Sequence, residues 1–248
     1  MKFSSGKSMS SSIARSAIPS RRSRKSGPSL AMKKRPAQQR ATDTFERILA
    51  VTAQTLADVG IDRLSTNLVC ERAGLSPPAL YRYFPNKYAL LHELGRRLMQ
   101  RQNELIPRWI TREVLSGTQG EIERALQGLL LDTYRVTKET TGGVWITRAL
   151  RAVPALASVR LESHAKVTQA QTALLKAVLP ESSPETLRLL GRISVELIYA
   201  AVEMLFDEPP LDAQAVSQMV ASMVASYREH LPPAAKPRPK GRVRRTST

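Results

Sequence analysis

The chain predicts an all-α protein. Apolar residues recur at 3.6-residue spacing in about nine segments, no run alternates convincingly as a strand would, and prolines or paired glycines fall between the segments. Charge then divides the chain. Its net charge of +17 lies wholly in the ends: residues 1–40 hold 11 Lys or Arg and residues 231–248 hold 6, with no acid in either. Residues 41–230 hold 21 basic and 21 acidic residues. A charge-balanced helical body thus carries two cationic tails. The tails are too poor in large apolar residues to offset the entropy of ordering, so both are expected to be disordered.

The first helix is expected over about 43–58. Phe45, Ile48, Leu49, Thr52, Ala53 and Leu56 share one face. Asp43 and Glu46 have capping-box spacing, and Gly60 stands where a left-handed C-terminal cap belongs. Next comes STNLVCERAGLSPPALYRYFPNK, residues 65–87. It reads as a short helix capped by Ser65 (with Thr66 as the alternative), a turn at Gly74, and a second helix capped by Ser76 and begun by Pro77 and Pro78. A fourth helix is expected over about 86–106, ended by Pro107, with Leu91, Leu94, Leu98 and Leu105 near one face. A fifth spans about 121–137, and a short helix carrying Trp145 follows Gly142-Gly143. Two more begin near Pro154 and Pro184, and a last one covers about 211–229.

Two packed helices across a tight turn describe a helix-turn-helix, whose second helix enters the DNA major groove. On that reading Leu68, Val69, Ala73, Leu75, Leu80 and Phe84 form the core of a three-helix unit. Ser65, Thr66 and Asn67 sit at a helix N-terminus, where free N–H groups suit a phosphate. Ser76, Pro77, Pro78 and Ala79 open the reading helix, the prolines offering apolar contact and Ala79 close approach. Tyr81, Arg82 and Tyr83 are left to reach DNA, and Lys87 is placed for a phosphate.

The same string resembles the DNA-binding signature of the TetR family of bacterial transcription regulators. The resemblance rests on Thr66, Val69, Ala73, Gly74, Leu75, Ser76, Leu80, Tyr81, Tyr83, Phe84 and Lys87, over about residues 43–91. The chain departs from the family pattern at Cys70, where alanine is usual, and at Pro78. The resemblance implies an N-terminal helix-turn-helix three-helix domain and a C-terminal helical domain for ligand binding and dimerisation. The expected limits are a tail at 1–40, the DNA-binding domain at 41–91, the effector and dimer domain at 92–230, and a tail at 231–248. It also implies a double-stranded DNA operator of two-fold character, a homodimer, and a small-molecule effector that relieves repression.

The helix from Pro184 is apolar on two sides, one marked by Ile193, Leu197, Ala201 and Leu205. With Met219 and Met223 of the last helix, Ile193, Leu197 and Ala201 are the expected dimer interface, closing a four-helix bundle. Trp145 and His164 are the candidate effector contacts, against the alternatives of a core tryptophan and a satisfied histidine. Glu196 and Glu203 suit a cross-dimer pair, a cationic ligand, or a solvent edge.

Cys70 alone excludes an internal disulfide framework, suits a reducing compartment and is expected as a small buried thiol. No stretch of 18 apolar residues and no apolar leader is present, so a cytoplasmic protein without a membrane partner is expected. His92, His164 and His230 stand apart from any ligand cluster, so no metal or other cofactor is expected. No nucleophile–base pair or Gly-rich phosphate loop points to an enzyme. The N-terminal tail reads as a DNA-contacting arm, as a product of start-site choice with Met9 and Met32 in frame, or as a transit peptide. The alternative to a specific regulator is a nonspecific architectural DNA binder dominated by its tails.

Overall fold

A computed structural model of the chain describes residues 27–30, 32 and 39–231. Nearly all of both cationic tails therefore lies outside the described residues. Those described form eleven α-helices and no strand.

Helix α1 (Gln39–Arg63) begins earlier than its capping pattern suggests. Asp43 lies inside it, accepting from Gln39 Nε2, and Glu46 turns to Arg97 instead of capping. Gly60 breaks its geometry at φ 74°, ψ −179°, so the regular helix stops there. Helix α2 (Thr66–Ala73) ends on Gly74 at φ 58°, the left-handed cap that glycine adopts at least cost. Helix α3 is only Pro77–Tyr81. Helix α4 (Lys87–Asn103) is capped by Asn86, whose Oδ1 accepts from Ala89 N–H.

Pro107 does not merely end α4. The helix stops at Asn103, and Pro107 sits in the first turn of α5 (Ile106–Trp109), where its missing N–H costs nothing. Helix α5 and the next short helix, α6 (Arg112–Ser116), lack any long apolar period and are absent from the sequence reading. Helix α7 (Gln119–Glu139) opens on a full capping box between Thr118 and Glu121. Helix α8 (Gly143–Ala152) follows Gly142, at φ 69°. A 3₁₀ turn at Pro154–Leu156 leads into α9 (Ala157–Val178). Ser183 caps α10 (Pro184–Asp207) and Asp212 caps α11 (Ala213–Ser226).

Helices α1–α4 wrap around Phe45, Ile48, Leu49, Leu80, Phe84 and Leu90. This core continues without interruption into α8 through Ile146 and Leu150, and into α9 and α10 through Val167 and Tyr199. Gly95 of α4 admits Leu150, since a β-carbon there would stand 2.6 Å from Leu150 Cδ2. Helix α4 runs unbroken through positions 91 and 92, so the N-terminal unit and the larger bundle share it. A second core joins α5–α7 to α10 and α11, with α7 and α11 packed along each other.

Candidate nucleic-acid interface

The turn between α2 and α3 is short because Gly74 reverses the chain and Leu75 N–H returns to Cys70 O at 2.9 Å. Arg47 of α1 donates to Ala73 O and holds the end of α2 against α1. Cys70 is buried here, and burial pushes its thiol pKa up. It fills the alanine-sized space without thiolate chemistry.

On the outer side, Ser65 Oγ accepts Leu68 N–H at 3.2 Å and caps α2. The Thr66 hydroxyl meets the Tyr81 hydroxyl at 3.0 Å, tying the start of α2 to the end of α3. Asn67, Ser76, Pro77, Pro78 and Arg82 are exposed, and Ala79 is half-buried. Ser76 occupies the N-cap position of α3, but its side chain makes no capping bond.

Tyr83 is not on this surface. It is 7% exposed, and its ring meets Phe45 edge-on at 6.1 Å. Residue 83 lies three positions after the fully buried Leu80, hence on the same inward side of the turn. Tyr83 is a core residue. Lys87 is half-buried and faces the protein too: its Nζ lies 3.2 Å from Leu64 O and 3.5 Å from Ile61 O, closing the frayed end of α1.

Two further contacts steady this surface. Asn86, besides capping α4, donates to Ser29 O at 2.9 Å, while Leu30 and Met32 pack on the core. Arg97 of α4 grips both carboxylate oxygens of Glu46 on α1, at 2.6 and 2.7 Å, and also reaches Glu93 at 2.8 Å. Glu93 is buried. Burial pushes its pKa up, but hydrogen bonds from Arg96 and Arg97 outweigh burial and hold it below the ordinary value. An asparagine before a helix is a readable cap. Nothing in the sequence marks Arg97.

A three-helix unit that buries Leu80 and Phe84 while leaving Pro77, Pro78, Tyr81 and Arg82 outside is the form of a DNA-reading helix pair. The sequence profile described as bacterial regulatory proteins, tetR family, matches residues 48–94, which contain α2, α3 and most of α1. Residues 48–94 are a DNA-binding domain of the TetR family. The chain is a DNA-binding transcriptional regulator, and regulators of this family are not enzymes.

Relatives agree. The class C tetracycline repressor of Escherichia coli is 39% identical over 54 residues, 22% of this chain and 25% of that protein. An uncharacterised helix-turn-helix-type transcriptional regulator of Mycobacterium bovis is 25% identical over 183 residues, 62% of this chain and 93% of that protein. Among solved structures, a tetR-family regulator from Streptomyces coelicolor superposes with a TM-score of 0.56 at 17% identity, covering 76% of this chain and 85% of that one. SmeT, the repressor of the Stenotrophomonas maltophilia multidrug efflux pump SmeDEF, gives 0.56 at 14% identity, covering 79% and 96%. At such identities the structural likeness shows the fold.

The remaining candidates lie in the larger bundle. Trp145 sits at the junction with α1. Its indole packs against Gly60 of α1 and beneath Arg148, 5.1 Å from the ring. His164 is fully buried, stacked on Tyr199 at 4.4 Å, with Nδ1 2.9 Å from Glu196 Oε1. Burial depresses its pKa more than Glu196 raises it, which favours the neutral ring, and Nδ1 faces both the carboxylate and, at 3.3 Å, Arg192 Nη1. Glu196 also pairs with Arg192 and Arg160, and Glu203 with Arg151, so both acids are engaged within the chain.

Ile193, Leu197, Met219 and Met223 are exposed, at 47, 38, 61 and 59%. Ala201 is not; it is 5% exposed and sits in the second core. A four-residue step turns a helix about 400°, so a stripe read in fours drifts about 40° each time. From Ile193 the drift carries Ala201 and Leu205 inward, and the exposed stripe is instead Leu189, Ile193, Leu197 and Met204. Among the described residues no His, Cys, Asp or Glu cluster suits a metal ion, and no helix is long and apolar enough to cross a membrane.

Proposed function

We propose that this chain is a homodimeric cytoplasmic repressor that reads a two-fold operator through α2 and α3 and releases it when a small molecule occupies the larger bundle. The observation that carries the reading is the tethered pair Thr66–Tyr81, flanked by exposed Pro77, Pro78 and Arg82, on a unit whose core is otherwise filled. These exposed side chains have no packing role. Ser65, Thr66 and Asn67 present the start of α2 to a phosphate. Pro77, Pro78 and Ala79 meet the groove as apolar surface, Tyr81 and Arg82 supply polar contacts, and Lys87 adds positive charge beside them.

Dimerisation is supported by the exposed apolar stripe of α10 together with Met219 and Met223 of α11 and Tyr227 just beyond it. Two copies of this helix pair would close a four-helix bundle and set the two reading heads at a fixed spacing. An effector acts by favouring a spacing that DNA does not fit. SmeT, a repressor of the same fold, supports the sign.

The test is selection of bound sequences from random duplex DNA by the full-length protein at near-physiological salt. A palindromic site, recovered again by residues 27–231, is the expected result. Recovery of no motif, with affinity falling steeply in salt and vanishing when the tails are removed, would replace this reading with an architectural DNA binder.

A further inference from the structure

Along the seam between α9 and α10 lie two neighbouring cavities, of about 60 and 20 Å³, that share Gln171 as a wall. The larger, partly open to solvent, is walled by Leu115, Ile122, Leu126, Leu175, Leu190 and Val224. The smaller is bounded by Gln102 of α4, Tyr199 of α10, Thr133 of α7, whose hydroxyl already donates to Leu129 O, and apolar neighbours. No charged side chain lines either one.

The polar groups at the small end are under-used. Gln102 is 2% exposed; its Nε2 donates to Thr137 Oγ1 at 2.7 Å, but its Oε1 is buried without a partner. The Tyr199 hydroxyl and the Gln171 amide make no hydrogen bond to a described residue. An unpaired buried acceptor costs free energy until a donor reaches it. A neutral hydroxyl can donate to Gln102 Oε1 while accepting from Tyr199 or Gln171. A carboxylate would find no cation there and an ammonium no anion, and burying either charge unpaired is costly.

We propose that this seam is a ligand site for an uncharged, mostly apolar molecule whose single hydroxyl, or comparable neutral head, seats between Gln102 and Tyr199 while its hydrocarbon part fills the cavity walled by Leu126 and Leu175. That this ligand is the effector rests on the repressor reading above; that it binds does not. The alternative home for a charged molecule is the open cleft between α4 and α9, where Arg96 and Lys166 mingle with Glu104 and Glu162.

Calorimetric titration of the full-length protein with 1-hexanol, hexanoate and hexylammonium tests the site. Hexanol is expected to bind at least tenfold more tightly than either ion. Gln102→Leu should weaken hexanol about tenfold by removing its acceptor, and Leu175→Trp should abolish binding by filling the cavity. If the tryptophan variant does not fold, Gln102→Leu alone decides. Equal binding of hexanoate or hexylammonium, no binding of hexanol, or hexanol binding untouched by the substitutions would overturn the proposal. Hexanol binding that leaves affinity for the selected duplex unchanged would sink the effector role and leave the site standing.

Discussion

The indole of Trp145 rests on Gly60, its Cη2 3.4 Å from the place a β-carbon on Gly60 would take. One residue belongs to α8 of the larger bundle, the other to α1 of the reading unit. Beside them, a β-carbon on Gly142 would stand 2.7 Å from Ala53 O. The two parts of the protein thus meet through glycines that let helix α1 and the start of α8 approach closely.

Gly60→Ala tests this joint. At φ 74°, ψ −179° the backbone occupies a region that essentially only glycine adopts. The substitution should cost about 1–3 kcal/mol by urea denaturation. An unchanged midpoint would mean that the chain does not pass through this conformation.

Lys87 and Arg82 should separate stability from DNA contact. Lys87→Met removes the donor that serves Leu64 O and Ile61 O, so about 1 kcal/mol of stability should go with it. If its ammonium also serves a phosphate, the slope of log affinity against log salt should fall by about 1. Arg82→Ala should weaken DNA binding with unchanged stability, since Arg82 is exposed. A Lys87 variant that is destabilised but keeps the full salt slope would confine that lysine to its structural role.

Two buried groups contribute to the acid limb of stability. The folded pKa of Glu93 lies below its ordinary value, so its contribution is complete above that value and disappears as pH falls through the folded pKa. His164 is likewise depressed: its contribution is present above the ordinary histidine value near 6.5 and is lost as pH falls and the buried ring must charge. Urea midpoints measured from pH 7.5 to 3.5 should therefore fall in two stages. Glu93→Gln should flatten the lower stage and His164→Gln the upper. A profile that His164→Gln leaves unaltered between pH 7 and 5 would contradict a neutral buried imidazole.

The register of α10 gives the last prediction. Leu197→Glu should yield a folded monomer by analytical ultracentrifugation, because Leu197 lies on the exposed stripe. Ala201→Glu, one turn on, should fail to fold, because it places a charge in the core. An intact Leu197→Glu dimer would move the interface elsewhere.

The helices were legible where a long apolar face met a clear stop: α7, α10 and α11 begin at capping residues or prolines that the chain displays, and α9 follows the 3₁₀ turn that Pro154 opens. The short α5 and α6 were not, because four- and five-residue helices carry no measurable period. In the reading unit, Ser65 and Gly74 could be read from local chemistry alone. Tyr83 could not, since its burial is decided by Phe45, 38 residues away in sequence. The Arg97 grip on Glu46 and the partnering of His164 with Glu196 were hidden for the same reason: they are products of tertiary packing.

Pro77 and Pro78 hold a further consequence. A five-residue helix has too few internal hydrogen bonds to define its own shape, yet the first two residues of α3 have their φ angles fixed by their rings. The stiffness of α3 is thus covalent at its first turn, and it persists in the absence of any partner. On the proposed reading, that turn would meet the groove with its backbone already set.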